Sequence, residues 1–427
     1  MTPDVLVIGA GTAGAAAAYH CARLGLKTLC VDRRALDGAG ARWVNAVPAT
    51  SFDEAGLARP QGDERCAEGH AFHLVAGWGP ERVTVKGHGA VETDMRLLID
   101  RLQRLALAAG AQLQGDTRVT LGPTGAVQLD GGAQPAEHAV TGALNPRWIV
   151  DASGYSAHCA NPRPPEHLCA AAQEVRDVHD WTRARGYFEG QGVAPGDTLC
   201  FTGVAGGFSI VNVRLEHDGI SLLTGSIPGR GYPSGTELLA RFVGEQPWIG
   251  PRRFGGARVI PLGRPASRLV HGNVLRLGDA AGQVFSAHGS GIGAGMVAAR
   301  MLAEALSREA PREYAVGWQR RFGGTLAAYD AFRRFSETLQ PDDLRALMRA
   351  GVVGGPTAVA GLQQVLPSLA DLLPASSGAL REPRLTARAL RVVAKMAALA
   401  ALYRAYPSEP SGLARWEAAV SRVAGVN

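Results

Sequence analysis

The residues with the clearest chemical meaning are Gly9, Gly11 and Gly14, which form the pattern G-x-G-x-x-G. Four apolar residues precede this pattern, an alanine-rich stretch runs on to about Leu24, and a second apolar run ends at Asp32. A strand, a glycine turn, a helix and a second strand that ends in an acid about 20 residues on form the context in which this pattern binds a dinucleotide. Gly9 makes the tight turn, Gly11 lets the backbone approach a pyrophosphate, and Gly14 lets the helix pack closely on the strand.

The residues around this turn supply further candidate contacts. The first turn of the helix, at Thr12 and Ala13, directs free N–H groups and the positive end of the helix dipole towards the phosphates. The Asp32 carboxylate is expected to accept a hydrogen bond from a ribose hydroxyl. Arg33 follows it directly, and Arg42 lies in the glycine-bearing loop beyond. Arg42 either faces the dinucleotide or is a solvated loop arginine.

Length and composition set limits on the class of protein. The chain has 427 residues, which predicts two or three domains. The net charge is +6, and residues 311–427 carry 15 basic against 9 acidic side chains, so the whole excess lies there. Six scattered cysteines without a C-x-x-C pair indicate reduced thiols and a cytoplasmic protein. No apolar run approaches the roughly 18 residues of a membrane span, and the first strand begins too early to leave room for a signal peptide.

The strand and helix patterns divide the chain into three regions. Strand-forming segments dominate between the second and third glycine motifs, and the chain is helical from Tyr314 onward. We predict a discontinuous nucleotide-binding domain at residues 1–65, 90–164 and 263–310, an inserted sheet domain at residues 66–89 and 165–262, and a helical region at residues 311–427.

A helix predicted from Arg384 to Tyr406 carries one basic face. Arg384, Arg388, Arg391 and Lys395 stand at i, i+4, i+7 and i+11, and the opposite face is apolar. Such a helix docks either on an acidic protein or on an anionic membrane surface, or it packs against its own domain. No nucleic-acid partner is expected.

Two histidines, His70 and His73, have H-x-x-H spacing. On the strand that the alternating pattern predicts here, residues three apart point to opposite faces. No acidic or cysteine ligands cluster near them in the sequence, so no metal site is predicted.

Two more glycine motifs follow the first. D-A-S-G stands at 151–154, and G-D-A-A-G at 278–282 is followed by G-S-G-I-G at 289–293. With G-A-G-T-A-G at 9–14, they resemble the flavoprotein superfamily that holds class A aromatic hydroxylases, geranylgeranyl reductases and flavin-dependent halogenases. The resemblance spans roughly residues 4–335 and implies FAD as a permanent cofactor. It implies an α/β fold: a Rossmann-like FAD-binding domain of the GR2 type, an inserted β-sheet substrate domain and a C-terminal helical region.

The resemblance also implies roles for particular residues. Asp279 would bind the ribityl chain or the pyrophosphate, and the helix N-terminus near Gly289 would face the flavin pyrimidine ring, which is negatively charged when reduced. Arg96 matches a family arginine that contacts FAD, with an exposed helix arginine as the alternative. Val119 matches the strand position that meets the adenine. The residues predicted to bind the cofactor are Gly9, Gly11, Thr12, Ala13, Gly14, Asp32, Arg33, Arg42, Arg96, Val119, Gly154, Gly278, Asp279, Gly289, Gly291, Ile292 and Gly293.

Departures from the family patterns bear on the reaction. Aromatic hydroxylases usually have a histidine at the position of Gly282 and an arginine near that of His158. The reductases carry an aromatic signature in the substrate sheet that is missing around Phe208. The halogenases need a lysine between flavin and substrate, and Lys86 is the only lysine in a plausible stretch. Halogenation is therefore disfavoured.

Two residues near the expected flavin ring are the predicted catalytic groups. His288 comes just before the helix at the ring and could act as a hydrogen-bond donor or an acid–base group. Its alternative is a loop histidine bonded to the backbone. Ser286 stands where all three branches tend to have proline.

These patterns predict an FAD-dependent monooxygenase that hydroxylates an aromatic or unsaturated group, on a small molecule or a peptide, through a flavin C4a-hydroperoxide. The alternative is a reductase of the geranylgeranyl type that saturates isoprenoid double bonds, and a third hypothesis is a flavin-binding protein without catalysis. The sequence contains no separate NAD(P)H domain. Electrons are expected to come from transiently bound NAD(P)H or from a partner flavin reductase.

Overall fold

The computed structural model describes residues 2–122, 126–131, 140–156, 163–372 and 383–425. The strands are β1 (Val5–Ile8), β2 (Thr28–Val31), β3 (Val44–Pro48), β4 (Arg65–Glu68), β5 (Phe72–Ala76), β6 (Arg82–Val85), β7 (Ala90–Asp94), β8 (Gln112–Gln114), β9 (Thr117–Leu121), β10 (Val127–Gly131), β11 (Gly142–Leu144), β12 (Trp148–Asp151), β13 (Leu168–Val178), β14 (Thr198–Thr202), β15 (Ser209–Leu215), β16 (Ile220–Ser226), β17 (Ile249–Pro261), β18 (Val270–His271) and β19 (Val274–Arg276). The helices are α1 (Thr12–Arg23), α2 (Ala49–Ala55), α3 (Met95–Ala108), α4 (Trp181–Gly190), α5 (Gly235–Glu245), α6 (Ile292–Ser307), α7 (Pro311–Trp318), α8 (Gly324–Ser336), α9 (Pro341–Arg349), α10 (Gly355–Leu362), α11 (Leu369–Leu372), α12 (Pro383–Arg404) and α13 (Leu413–Ala424).

The dinucleotide-binding half is built on a six-stranded sheet with the order β18-β19-β12-β1-β2-β8. β1 pairs in parallel with β2 and β12 and is buried along its whole length, which explains its continuous apolar sequence. Four consecutive alanines of α1, residues 15–18, are completely buried in the cluster that α1 forms with α3 and α6. Small side chains therefore let three helices pack closely beside the glycine turn.

The second large sheet has seven strands in the order β17-β13-β16-β15-β14-β5-β6. Its neighbouring strands are antiparallel except β14 and β5, which are parallel. All seven strands lie within residues 66–89 and 165–262. The domain boundaries themselves stay a prediction.

The chain after residue 311 is helical, and α8 packs against α12. A Cβ on Gly324 of α8 would lie 3.1 Å from the Cα of Ala400 in α12, so glycine allows this close approach. The helical region, the Rossmann-like sheet and the inserted sheet together confirm the predicted fold class.

A buried ion cluster fastens α8 to the seven-stranded sheet. Arg333 is 0% exposed, donates to Asp330 at 2.6 Å and to Glu337, and lies 3.1 Å from His167 Nδ1 just before β13. Burial alone would raise the pKa of Asp330, but Arg333 and Arg334 hold it below its usual value. Burial and Arg333 lower the pKa of His167 to about 4, so this imidazole is neutral near pH 7.

Candidate active site

The first glycine turn has the geometry of a phosphate-binding loop. Gly9 has a φ of +104°, and a Cβ on Gly14 would collide with the carbonyl group of Gly9. Gly11 is the N-cap of α1, and no side chain caps the helix. The first N–H groups of α1 are therefore left for a ligand, as the sequence predicts for a pyrophosphate.

The Asp32 carboxylate is held by the same loop. Asp32 accepts hydrogen bonds from Ala10 N at 2.8 Å and Arg34 N at 2.9 Å. The buried side chain of Gln103, on α3, donates to Ala10 O at 3.1 Å and Leu36 O at 3.0 Å. Sequence reasoning missed Gln103, although a glutamine on the apolar face of an amphipathic helix was a signal.

A second cradle meets the first at Ala13. A Cβ on Gly278 or on Gly295 would lie 3.2 Å from Ala13 Cβ, so both positions require glycine for this packing. Gly291 is the N-cap of α6, which again has no side-chain cap, and a Cβ there would lie 3.3 Å from Asp279 Oδ1. The N-termini of α1 and α6 and the Asp279 carboxylate therefore converge, as the three glycine motifs predict.

Asp279 has no side-chain hydrogen bond to another residue in the part of the chain that the structure describes. Burial raises its pKa, although Arg163 and Arg258 oppose that effect. A carboxylate with free lone pairs beside two uncapped helix N-termini fits the hydroxyls and phosphates of FAD. The cradle therefore fits the cofactor that the sequence implies.

Two arginines beside this cradle were missed by sequence reasoning. Arg258 of β17 donates to Gly40 O at 2.6 Å, and burial and the nearby Arg34 lower its pKa. Arg163 donates to Leu262 O at 2.9 Å, and burial lowers its pKa. Both bring positive charge to the dinucleotide loops, Arg258 from the inserted sheet and Arg163 from the segment just before it. A single glycine motif in the sequence does not reveal either arginine.

Three predicted arginine contacts stay predictions. Arg33 is exposed. Arg42 is also exposed and donates to the carbonyl of Asp37. Arg96 forms an ion pair with Asp94 at 2.6 Å, and its guanidinium lies 4.3 Å from the ring centre of Phe254.

The other predicted positions lie beside both large sheets, with Gly289 next to Ile260 of β17. Val119 is a buried residue of β9 and packs in a cluster with β1 and β2. Gly154 follows β12 with a φ of +78°, Gly289 has a φ of +74°, and α6 begins at Ile292. A Cβ on Gly293 would collide with Ser51 of α2. His158 lies outside the described residues.

The two predicted catalytic residues differ in their surroundings. Ser286 is 0% exposed, and its hydroxyl accepts from Gly263 N at 3.0 Å and donates to Gly263 O at 3.2 Å. That hydroxyl therefore fixes the loop at Ser286 to the backbone of Gly263. The catalytic role of Ser286 stays a prediction. His288 instead lines a cavity, and its Nε2 has no hydrogen-bond partner among the described residues. Burial lowers the pKa of His288 to about 4, so the imidazole is neutral at pH 7.

The cavity lies between the seven-stranded sheet and the helices that follow α7. Its volume is about 400 Å³. It extends from Ala287, His288 and Ser290 to residues of α8, α9, α10 and α12. Its apolar lining includes Phe72, Leu74, Phe332, Phe335, Val392 and Met396. An elongated hydrophobic group would therefore be held with one part beside His288.

The apolar face of α12 forms part of this cavity. Ala389, Val392, Val393 and Met396 line it, so the packing alternative for the helix is correct for its apolar face. Three of the four predicted basic residues make internal contacts, because Arg388 donates to Thr338 at 2.8 Å, Arg391 to Ala387 O at 3.3 Å and Lys395 to Ala424 O at 3.4 Å.

The H-x-x-H histidines have protein partners. His73 contacts Thr84 Oγ1 at 3.0 Å and Asp197 Oδ2 at 3.1 Å, and His70 Nδ1 lies 3.7 Å from Asp197. No group of three or more potential metal ligands occurs among the described residues. In the same part of the chain, no helix has the length and apolar character needed to span a membrane.

Comparisons with known proteins agree with this site. Residues 4–64 match the family model described as FAD dependent oxidoreductase (DAO). Over 98% of its length the chain is 26% identical to the digeranylgeranylglycerophospholipid reductase of Sulfolobus acidocaldarius, of which it covers 97%. A geranylgeranyl bacteriochlorophyll reductase-like protein of Thermoplasma acidophilum has the same fold, with a TM-score of 0.70 and 17% identity over 92% of this chain and 99% of that chain. The predicted resemblance to the FAD-dependent superfamily is confirmed.

This flavoprotein is therefore an FAD-dependent oxidoreductase. It is also 24% identical, over 83% of its length, to the menaquinone reductase of Mycolicibacterium smegmatis, of which it covers 88%. The halogenase PltM, solved with phloroglucinol and FAD, shares the fold with a TM-score of 0.61 and 14% identity over 99% of this chain and 95% of that chain. The predicted FAD cofactor is confirmed, whereas the source of electrons stays a prediction.

The prediction of a monooxygenase was wrong. Relatives that align along most of the chain are named as digeranylgeranylglycerophospholipid reductases, and the reductase-like fold agrees with them. The missing aromatic signature around Phe208 had favoured the monooxygenase. In the structure Tyr329, Phe332 and Phe335 of α8 bring aromatic rings to the cavity, together with Phe208 itself. Aromatic residues more than 100 positions away therefore line the cavity where the sheet motif is absent.

Proposed function

We propose that this flavoprotein reduces carbon–carbon double bonds of an isoprenoid chain. The observation that carries the proposal is the largely apolar cavity that His288 lines, just before the N-terminus of α6. Methyl-branched hydrocarbon has no hydrogen-bonding groups, and it is held by apolar area alone, at about 25 cal/mol per Å² of surface removed from water. The names of the relatives support the same substrate class.

Different residues of the chain would bind the cofactor, orient the isoprenoid chain and supply a proton. Bound FAD supplies a hydride when it is reduced, and the uncapped N-termini of α1 and α6 with Asp279 would hold it. The rings of Phe332 and Phe335 would orient the isoprenoid chain and exclude water. The second carbon of the double bond needs a proton, which we assign to His288, because a neutral imidazole can accept a proton at one nitrogen while it donates from the other.

Replacing His288 with glutamine should lower kcat for double-bond reduction by about 100-fold, because an amide cannot relay a proton. Affinity for the isoprenoid should change little, since glutamine keeps a polar side chain in place. Steady-state kinetics and ligand titration separate the two effects. The matched control is His217→Gln, since the His217 side chain is 94% exposed on a distant hairpin. Equal kcat for His288→Gln and parent would remove His288 from the reaction.

The pH dependence of kcat offers a separate measurement. The pKa of His288 is lowered from 6.5 to about 4 by burial, so its neutral form persists as the pH falls and is lost only near pH 4. We therefore expect kcat to be flat between about pH 6 and pH 8, with no inflection at the ordinary histidine pKa. A single ionisation near 6.5 that disappears in His288→Gln would contradict this assignment.

We also infer that the outer face of α12 rests on an anionic membrane surface, where isoprenoid lipids reside. Arg384 and Arg391, seven residues apart, are exposed on that face. The inner face of the same helix lines the cavity. Charge complementarity would therefore bring the cavity close to its substrate.

Replacing Arg384 and Arg391 with glutamine should weaken binding to anionic vesicles by roughly 30-fold, given about 1 kcal/mol per basic residue near such a surface. Vesicle sedimentation at low and high salt measures the effect. The matched control replaces Arg23 and Arg185, two exposed arginines on other helices, and removes the same charge. If both sets of substitutions weaken vesicle binding equally, the attraction depends on net charge alone and not on the outer face of α12.

The proposed function is tested by mixing the reduced holoprotein with a geranylgeranyl compound in the absence of oxygen. Oxidation of the flavin, followed by its absorbance, is expected at a rate that rises with the concentration of the compound. A flavin that stays reduced with every isoprenoid offered would contradict the proposal. The electron source needs a second assay, in which NAD(P)H and a partner flavin reductase are compared.

A further inference from the structure

Alternate residues of β17 face the dinucleotide-binding half of the protein. Arg258 donates a hydrogen bond to the carbonyl of Gly40, in the loop after β2. A Cβ on Gly289, just before α6, would lie 3.5 Å from Ile260 Cδ1. Residues two apart in a strand point to the same face. We call the alternate residues on this side the inner face of β17: Phe254, Gly256, Arg258 and Ile260.

The inner face of β17 borders open space. A Cβ added to Gly256 would meet no heavy atom within 4 Å, although the residue is half-buried. Gly256 pairs in register with Gln173 of β13, so the two positions point to the same side of the sheet. A cavity of about 50 Å³ lies on that side, and Gln173, Ile260, Trp43 and Gly289 line it. The space therefore lies between the inserted sheet and the cofactor cradle.

The guanidinium of Arg258 has donors to spare. It donates from Nη2 to Gly40 O at 2.6 Å and forms no ion pair among the residues that the structure describes. A Cβ on Gly11, the N-cap of α1, would lie 3.2 Å from Gly40 Cα, so this contact stands beside the predicted pyrophosphate turn. The remaining N–H groups of an arginine are suited to phosphate oxygens, which they bind in pairs.

The charges around Arg258 favour an anion between the two cradles. Burial lowers the pKa of Arg258, and Asp32 opposes that effect. Three other arginines of the dinucleotide loops lower this pKa as well: Arg34, Arg33 and Arg42. Burial raises the pKa of Asp279 in the second cradle, and Arg258 is one of the two cations that oppose it. A group with negative charge at this place would offset the repulsion among the arginines.

The position of Arg258 assigns it a part of the cofactor. We propose that the inner face of β17 covers the bound FAD and that Arg258 binds its pyrophosphate. The inserted sheet would then hold the cofactor as well as the substrate. The inference concerns the cofactor alone, so it does not depend on the isoprenoid substrate.

The test compares FAD with riboflavin, which has the same ring system and no phosphate. Both are titrated into the full-length protein after its flavin has been removed, and flavin fluorescence gives the dissociation constants. Arg258→Met should weaken FAD binding by about 10- to 100-fold, the usual effect of losing a hydrogen bond to a charged group. Riboflavin binding should change by less than about twofold, because riboflavin offers this guanidinium no phosphate. Unchanged FAD binding, or an equal loss for both flavins, would overturn the proposal.

Two further variants separate a phosphate contact from a general effect of charge. Arg258→Lys keeps a cation and should recover much of the FAD affinity that Arg258→Met loses. The matched control is Arg252→Met on the same strand, since the Arg252 side chain is 57% exposed and pairs with Glu174. Equal weakening by Arg258→Met and Arg252→Met would also overturn the proposal. If the protein without flavin does not stay folded, the rate at which FAD leaves each holoprotein during dialysis replaces the titration.

Gly256→Leu tests the space on the inner face. The new side chain meets no protein atom at its Cβ, so the protein without flavin should unfold at the same temperature as the parent. FAD binding should weaken by about tenfold or more, because the side chain fills space that the cofactor needs. The matched control is Ala257→Leu, which adds its side chain at the next, exposed position. Equal FAD affinity in the two variants would show that this face does not meet the cofactor and would overturn the proposal.

Discussion

Replacing Gly14 with alanine should leave the purified protein with less than about one tenth of the flavin that the parent holds, which corresponds to a loss of about 1.4 kcal/mol or more in binding. The added Cβ would collide with the carbonyl of Gly9 and lie 3.3 Å from Ala152 Cβ. The Gly9 carbonyl cannot move without opening the turn that directs the N–H groups of α1 at the phosphates. The ratio of flavin to protein absorbance after dialysis measures the effect.

The matched control is Gly186→Ala on α4. That glycine is exposed, and a Cβ there would meet no atom within 4 Å. We expect the control to keep its flavin, since alanine is the better helix former. If Gly14→Ala does not fold, the flavin content of Asp279→Asn is measured in its place, because this change removes a charge from the same cradle without adding volume. Full flavin content in both cradle variants would contradict the assigned FAD site.

Replacing Arg333 with methionine should destabilise the protein by about 3–5 kcal/mol, the usual cost of removing one partner from a buried ion pair. Arg333 is completely buried, and its loss leaves Asp330 and Glu337 without their main cation. The same change breaks the contact of α8 with His167, so the cavity should also lose affinity for isoprenoids. Urea unfolding measures the first effect and ligand titration the second.

Arg59→Met is the control for this change. Arg59 forms an ion pair with Asp53, and both side chains are 51% exposed. Exposed pairs contribute little to stability, because water and salt screen them. We expect the unfolding curve of this variant to match that of the parent. An Arg333→Met protein as stable as its control would show that the cluster does not hold α8 to the sheet.

The dinucleotide cradle could be predicted because its chemistry depends on local spacing. Gly9, Gly11 and Gly14 shape one turn, and the glycines between Gly278 and Gly293 shape a second. Each turn can therefore be recognised from a short stretch of sequence. The packing of Ala13 on Gly278 and Gly295 brings the two turns together. The sequence does not show this contact, and the family resemblance alone indicated that the two turns meet. Asp32 and Asp279 were predicted for the same reason.

The cavity could not be predicted, because its walls come from distant parts of the chain. Asn212 and Gln173 become neighbours only through the register of three strands. The aromatic residues of α8 that line the cavity stand more than 100 positions after Phe208 in the sequence. The aromatic signature is absent from the sheet itself, and that absence led to the wrong choice of monooxygenase over reductase. His288 was found from its place before α6, whereas its neutral state depends on burial that the sequence does not contain.

The most direct test of the central claim is the mass of the product. The holoprotein is first reduced and then mixed with a geranylgeranyl compound under a limited supply of oxygen. The product is extracted, and its mass is measured by mass spectrometry. Reduction of an isoprenoid double bond predicts a gain of two hydrogens for each turnover and no dependence on oxygen. A gain of one oxygen atom that requires oxygen, or an unchanged compound after the flavin is oxidised, would contradict it.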